Sequence, residues 1–240
     1  LTHIRFKTLF GCYSEYGLRQ TKLRYKHVDR YSPTCPLAKA AMLWFCGPRL
    51  ILRGCVLSVL LVRPRRYGDA RGWFSESWNA ARFAGWGIDV SFCQDNHSLS
   101  SLAGTLRGLH FQTPPHAQAK LVRCTHGAIF DVAVDIRKAS PTYRQWVSAE
   151  LSADNGDQLF IPAGYAHGFL TLTPDTEVMY KVDAHYAPEA DGGIIWNDQT
   201  LGIDWPLGGA KPPLSDKDAI LPALADVTAD FTYDGRPLLP

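Results

Sequence analysis

Acid–base chemistry is within reach of this chain's histidines, and their spacing narrows the kind. The run Gly156-Asp-Gln-Leu-Phe-Ile-Pro162-Ala-Gly164-Tyr-Ala-His167 reads as a strand, a tight Pro/Gly turn, and a histidine at the start of the next strand. A second histidine, His110, lies in Leu106-Arg-Gly-Leu-His-Phe-Gln112. Imidazoles two residues apart on a strand share a face and can share a metal ion. No His-x-His occurs anywhere, and five residues including Pro114-Pro115 separate His110 from His116. The pattern therefore favours proton transfer over metal chemistry. An ordinary imidazole pKa of about 6.5 lets a histidine be a neutral acceptor near physiological pH. The cysteines at 12, 35, 46, 55, 93 and 124 show no C-x-x-C and no metal-finger spacing, so we expect reduced thiols in a cytoplasmic protein.

Such side chains need elements to aim them. Short apolar runs recur between turn signals: Leu50–Leu52, Val56–Val62, Lys120–Cys124, Ala128–Ile136, Gln158–Ile161 and Glu177–Val182. In Ala128–Ile136, Phe130, Val132, Val134 and Ile136 share one face and Asp131 and Asp135 the other, the alternation of a half-buried strand. The punctuation is rich in Gly, Pro, Asn and Asp, and one short helix is expected at Ser77–Phe83. Many strands with few helices predict an all-β antiparallel sandwich or barrel. One difficulty is visible. In a regular strand Arg107 and His110 point to opposite faces. Gly108 between them permits a bulge, and we expect an irregularity there.

Composition excludes several classes. The 240 residues carry 46% hydrophobic and 20% charged side chains, enough for one large core. The net charge of +2 is uneven: residues 1–48 hold 8 Lys/Arg against 2 Asp/Glu, and the rest hold 17 against 21. The body is mildly acidic, so nucleic-acid binding is not expected. The most apolar stretch, Ala38 to Val62, is broken by Arg49 and Arg53, which rules it out as a membrane span. Residues 1–48 lack clean periodicity, and the first methionine is Met42. We expect this basic extension to be a translated upstream stretch, not part of the native protein. A real basic tail and a targeting peptide are the alternatives.

The Pro-x-Gly-x-x-His run resembles the second cupin motif, with Thr171 in place of its final Asn. A more specific likeness surrounds it. The runs Gln94-Asp-Asn96-His-Ser, Leu106-Arg-Gly-Leu-His110-Phe-Gln112 and Lys120-Leu-Val-Arg resemble the dTDP-4-dehydrorhamnose 3,5-epimerase family. So do Gly68-Asp-Ala-Arg71-Gly-Trp-Phe-Ser-Glu76, Asp131-Val-Ala-Val-Asp-Ile-Arg137, Tyr180-Lys181, Tyr186-Ala-Pro, Trp196-Asn-Asp198 and Leu214-Ser-Asp-Lys217-Asp218. The fragments run in unbroken order over roughly residues 49–235, and we take residues 49–240 as one domain.

The resemblance implies a cupin-type double-stranded β-helix, or jelly roll, that needs no cofactor and no metal. It implies double epimerisation of a dTDP-4-keto-6-deoxy sugar, whose ketone acidifies both neighbouring C–H bonds. His110 is then the base, and Asp218 receives its other ring N–H. Tyr180 is the acid on the opposite face, and Lys120 stabilises the enolate. Arg71 and Arg107 match pyrophosphate contacts, which suits their forked guanidinium groups. Glu76, Gln94, Asn96, His167, Asp191 and Lys217 match contacts to nucleotide and sugar, and Tyr186 an aromatic beside them. Family members often carry Glu where Asp191 stands. A homodimer, whose partner subunit completes the nucleotide pocket, is also implied.

Plainer readings stand beside these. His110 and His167 can be structural, Tyr180 a core tyrosine on the Val178/Val182 face, Arg71 a solvated turn residue, and Asp218 a local turn cap. His97, His116, His126 and His185 have turn or surface explanations, and Trp196 and Trp205 read as packing. The rival functions are a single epimerase or ketoisomerase of a related deoxysugar, a non-catalytic sugar-nucleotide-binding cupin and, more remotely, a metal-dependent cupin oxygenase.

Overall fold

The computed structural model describes residues 59–233, with the backbone of two short strands before them. Apart from those strands, the expected extension over 1–48 and the apolar stretch up to residue 58 lie outside the described residues. In chain order the strands are β1 (Arg24–Tyr25), β2 (Arg49–Leu50), β3 (Leu60–Val62), β4 (Arg66–Asp69), β5 (Gly72–Ser75), β6 (Gln94–Ser100) and β7 (Leu106–Gln112). They continue with β8 (Lys120–His126), β9 (Ala128–Asp135), β10 (Trp146–Ser152), β11 (Gln158–Ile161), β12 (Tyr165–Thr171), β13 (Thr176–Val182) and β14 (Asp191–Gly193). Two short helices, α1 (Ala80–Gly85) and α2 (Asp216–Ala219), interrupt them.

The strands form two facing antiparallel sheets, in the orders β1-β10-β9-β12-β7-β14 and β2-β3-β11-β8-β13-β6. The hairpin β4–β5 stands apart as a third, two-stranded sheet. This is the double-sheet jelly roll that the strand pattern and the resemblance predicted. Between the sheets lie Val122, Leu159 and Ile161 from one, and Ile129, Ala133, Leu151 and Phe169 from the other.

The first sheet is covered on its outer face as well. Residues beyond β14 run across it and bury Ile194, Leu201, Trp205, Leu224 and Phe231 against Phe130, Val132 and Val134. Asp198 ties this return together, accepting from the backbone N–H groups of Thr200, Leu201 and Leu224. Trp205 and the half-buried Trp196 pack here, as expected. The expected half-buried character of β9 is corrected by the same observation. Asp131 and Asp135 do not face solvent; both are fully buried and point between the sheets, alongside Ile129 and Ala133. A buried carboxylate must be paired and hydrogen-bonded. Asp135 satisfies this through Arg137 (Nε 2.9 Å, Nη2 2.7 Å), Ser140 Oγ and Thr142 Oγ1 (both 2.6 Å).

Helix α1 starts three residues later than expected, because Asn79 caps it. Its Oδ1 accepts from the Arg82 N–H at 3.0 Å, a cap worth about 1 kcal/mol. Phe83 is its buried anchor, flanked by the rings of Trp78 and Trp86 at 4.5 and 4.9 Å.

The irregularity expected in β7 is present. His110 pairs with His167 and Arg107 with Phe169, so β7 places Gly108 and Leu109 opposite the single residue Gly168. That is a bulge of one residue. His167 and Phe169 share a face of β12, so the bulge brings Arg107 and His110 onto one face. Gly108 is required there twice over. Its φ is +118°, and a Cβ would lie 2.6 Å from Gly168 Cα and 2.7 Å from His167 O.

Candidate active site

Between the sheets opens a cavity of about 260 Å³. His110 reaches it from β7, Gln94 and Asn96 from β6, Lys120 from β8, and Tyr180 from β13. Tyr186, Asp191 and Lys217 close the rim, while Phe111, Gln112 and Gln118 complete the lining. Base and acid candidates thus sit on opposite sheets. Among the described residues no group of three or more His, Cys, Asp or Glu side chains is placed to hold a metal ion.

His110 is held from behind. Its Nε2 lies 2.5 Å from Asp218 Oδ1, which assigns the ring proton to Nε2 and leaves Nδ1 as the basic nitrogen. Asp218 does not serve as a turn cap. Ser215 is the cap of α2, accepting from the Asp218 N–H at 3.1 Å, so the Asp218 carboxylate is free to meet His110. Burial works to raise the Asp218 pKa. The His110 hydrogen bond and charge, the Ser215 hydroxyl and the Gly108 N–H outweigh it and hold the carboxyl below its ordinary value. The bulge at Gly108 and the C-terminal return meet at this dyad.

Lys120 is almost fully buried, pointing inward from β8 on the same face as Val122. Burial lowers its pKa to about 8, against the opposing pull of Asp131 and Asp191, with Lys217 adding to the depression. Tyr180 packs against the interior cluster between Val178 and Val182 while also lining the cavity. Burial raises its pKa further than the Arg107 charge lowers it, so the phenol keeps its proton at neutral pH. Arg107 is at the outer end of β7, where Nε donates to Ser100 Oγ and Nη2 to Leu99 O, both at 3.0 Å.

The rim is a polar chain. Tyr186 OH donates to Asp191 Oδ2 at 3.0 Å, and Lys217 Nζ donates to the same oxygen. Gln94 Nε2 donates to Asn96 Oδ1 at 2.8 Å, while Gln94 Oε1 accepts from the Tyr186 N–H. Five expected residues are not on the cavity wall: Asp218 and Arg107, placed above, and His167, Arg71 and Glu76. His167 is buried beside His110, its Nε2 2.7 Å from Asp131 Oδ1. Arg71 projects from the β4–β5 turn, 90% exposed and paired with Asp69. Glu76 is bound to Arg82 at the start of α1.

Sequence reasoning missed Asp131, Gln112 and Gln118. Gln112 fixes the wall, since its Oε1 accepts from the Ala187 N–H and its Nε2 donates to His116 O and His185 O. Glutamine carries no distinctive signal. Asp131 had one: Ile129 and Ala133 share its face, and a purely solvated face would not carry them.

The profile of the dTDP-4-dehydrorhamnose 3,5-epimerase family matches residues 55–226. A dTDP-4-dehydrorhamnose 3,5-epimerase of Sinorhizobium fredii is 53% identical over 178 residues, 74% of this chain and 91% of that one. The crystal structure of the Bacillus anthracis dTDP-4-dehydrorhamnose 3,5-epimerase with TDP and PPi bound is 51% identical. It superposes with a TM-score of 0.70 over 72% of this chain and 98% of that one. The Legionella pneumophila dTDP-6-deoxy-D-glucose-3,5-epimerase, in complex with dTDP-4-keto-L-rhamnose, is 44% identical with a TM-score of 0.68, covering 76% and 93%. With the fold, the cavity and these likenesses in agreement, the chain belongs to the dTDP-4-dehydrorhamnose 3,5-epimerase family.

Proposed function

We propose that this chain is an isomerase that inverts carbons 3 and 5 of dTDP-4-dehydro-6-deoxy-D-glucose, giving dTDP-4-dehydro-L-rhamnose for dTDP-L-rhamnose biosynthesis. The observation that carries the reading is the His110–Asp218 pair, its base on one sheet and its carboxylate on α2, set across a cavity from Tyr180 on the other sheet. Inversion next to a ketone needs a base on one face, an acid on the other and a partner for the enolate oxygen. His110 Nδ1 removes the proton, and the Asp218 carboxylate stabilises the imidazolium that forms. The electron pair left on carbon moves onto the ketone oxygen, where the buried Lys120 ammonium balances it. Such a charge pair is stronger away from bulk water. Tyr180 then returns a proton to the opposite face, and the carbonyl re-forms. Solvent then takes the proton from His110 and returns one to Tyr180, and the pair serves the second carbon in the same way.

Gln94, Asn96, Tyr186, Asp191, Lys217 and Arg107 hold sugar and nucleotide around this centre, with His167 supporting His110 from the neighbouring strand. Arg71 and Glu76 lie away from the cavity wall of their own chain. We assign them to the nucleotide site of a homodimer, on the family resemblance. The hairpin that carries Arg71 also exposes Tyr67, Trp73 and Phe74, which suits burial against a second copy. The free thiols of Cys93 and Cys124 fit a cytoplasmic location. No helix among the described residues is long and apolar enough to cross a membrane.

The test is conversion of dTDP-4-keto-6-deoxyglucose by the purified protein, trapped with a 4-keto reductase. An L-rhamno product is expected. A product inverted at carbon 3 alone would mark a single epimerase, and nucleotide binding without conversion a non-catalytic cupin.

A further inference from the structure

Asp131 is not on the cavity wall and lies outside the machinery described above. It points between the sheets from β9, fully buried. One oxygen, Oδ1, meets His167 Nε2 at 2.7 Å, but Oδ2 is buried with no hydrogen-bond partner among the described residues. Facing β9 from the other sheet, Lys120 is 8% exposed and has no hydrogen bond to any described residue. A buried, half-paired carboxylate and a buried, unpaired ammonium thus share one interior. Each alone would be costly there.

The neighbouring charges leave the two to each other. His167 does not neutralise Asp131: burial is the larger influence on its ring and lowers its pKa, so it is a neutral donor. Asp191 also faces Lys120, but its carboxylate already holds Lys217 and the Tyr186 hydroxyl. Lys217 repels Lys120 from α2, and His110 and Tyr180 line the same cavity.

We propose that Asp131 is the counter-charge of Lys120, a positioning residue that keeps the ammonium charged inside the barrel while its other oxygen holds the His167 ring. Its catalytic consequence rests on the reading of Lys120 as the cation beside the enolate; the charge pairing itself does not. Lys120 must be protonated to work, so activity should fall as pH rises through about 8. Removing a nearby opposite charge lowers an ammonium pKa by about one pH unit or more. In Asp131→Asn the alkaline limb of kcat/KM should therefore move down by about one pH unit. The resulting loss is about fivefold at pH 8 and slight at pH 6.

Two measurements on the full-length protein decide it. The first follows the Lys120 side-chain signal by NMR against pH, assigned by its absence in Lys120→Arg. Its midpoint is expected near 8 in the parent and about one pH unit lower in Asp131→Asn. Asp131→Ser, smaller and also neutral, must show the same fall and serves if the Asn variant does not fold. The second is the pH profile of kcat/KM. An unmoved Lys120 midpoint, or a loss of activity equal at all pH values, would overturn the proposal and leave Asp131 a structural residue. Should the parent protein show no epimerisation, the functional reading fails, while the NMR titration still decides the charge pair.

Discussion

At the scale of single residues, His110 and Tyr180 make separable predictions. His110→Asn keeps the size of the ring's first half but has no basic nitrogen, so exchange at both carbons should fall by about 10²–10⁴-fold. Nucleotide affinity, measured by calorimetry, should stay within about twofold, because the ring is not a nucleotide contact. A fully active variant would remove His110 as the base. Tyr180→Phe leaves the His110–Asp218 pair intact. Proton abstraction, read as solvent exchange, should survive better than inversion, and unchanged inversion would take the acid role from Tyr180. The sequence singled out His110, Tyr180, Lys120 and Asp218 through the runs that resemble the family, and the fold gathers them around one cavity. Asp131 was not singled out. An acidic residue in an alternating strand reads as solvated unless one knows that the sheet is covered on both sides.

At the scale of elements, the bulge in β7 puts Arg107 and His110 on one face and lets the Gly108 N–H reach Asp218. Gly108→Ala forces a Cβ to within 2.6 Å of the Gly168 backbone at a φ that L side chains rarely adopt. Denaturant unfolding should show a loss of at least about 2 kcal/mol, with His110-dependent exchange lost alongside. Gly85→Ala, at the end of α1 with open space around it, is the control and should change stability by less than about 1 kcal/mol. Equal effects at the two positions would deny the bulge its role. The sequence signalled this irregularity through one glycine between two residues that had to share a face. It did not signal where α1 begins, since Ser77 and Asn79 are both acceptable caps. The Asn79 cap, with Phe83 packed between Trp78 and Trp86, fixes the later start.

At the scale of the whole molecule, two sheets and a C-terminal return bury the core and leave one hairpin exposed. Burial holds the His167 ring neutral in the fold, with its pKa below the ordinary 6.5. The unfolded chain protonates that ring near 6.5, so its share of stability is complete above that value. That share is lost as pH falls through the lower folded value. His167→Gln should flatten this part of the stability curve between pH 6.5 and acid, as followed by urea unfolding at successive pH values. An unchanged slope would mean that the ring is already charged in the fold. The hairpin carries a separate expectation. In the proposed homodimer, Trp73→Asp with Phe74→Asp should give a monomer in sedimentation and weaken nucleotide binding at least tenfold; a dimer with full affinity would move the interface elsewhere. The jelly roll itself was legible from alternating runs and turn residues. The return over residues 194–231 was not, because its apolar residues follow no period and gain meaning only against the β9 face they cover.

The most direct measurement is proton NMR of the purified protein with dTDP-4-keto-6-deoxyglucose in heavy water, beside the His110→Asn variant. The account predicts loss of the signals at carbons 3 and 5 with the parent protein and neither with the variant. Retention of both signals by the parent, or exchange that survives in His110→Asn, would contradict it.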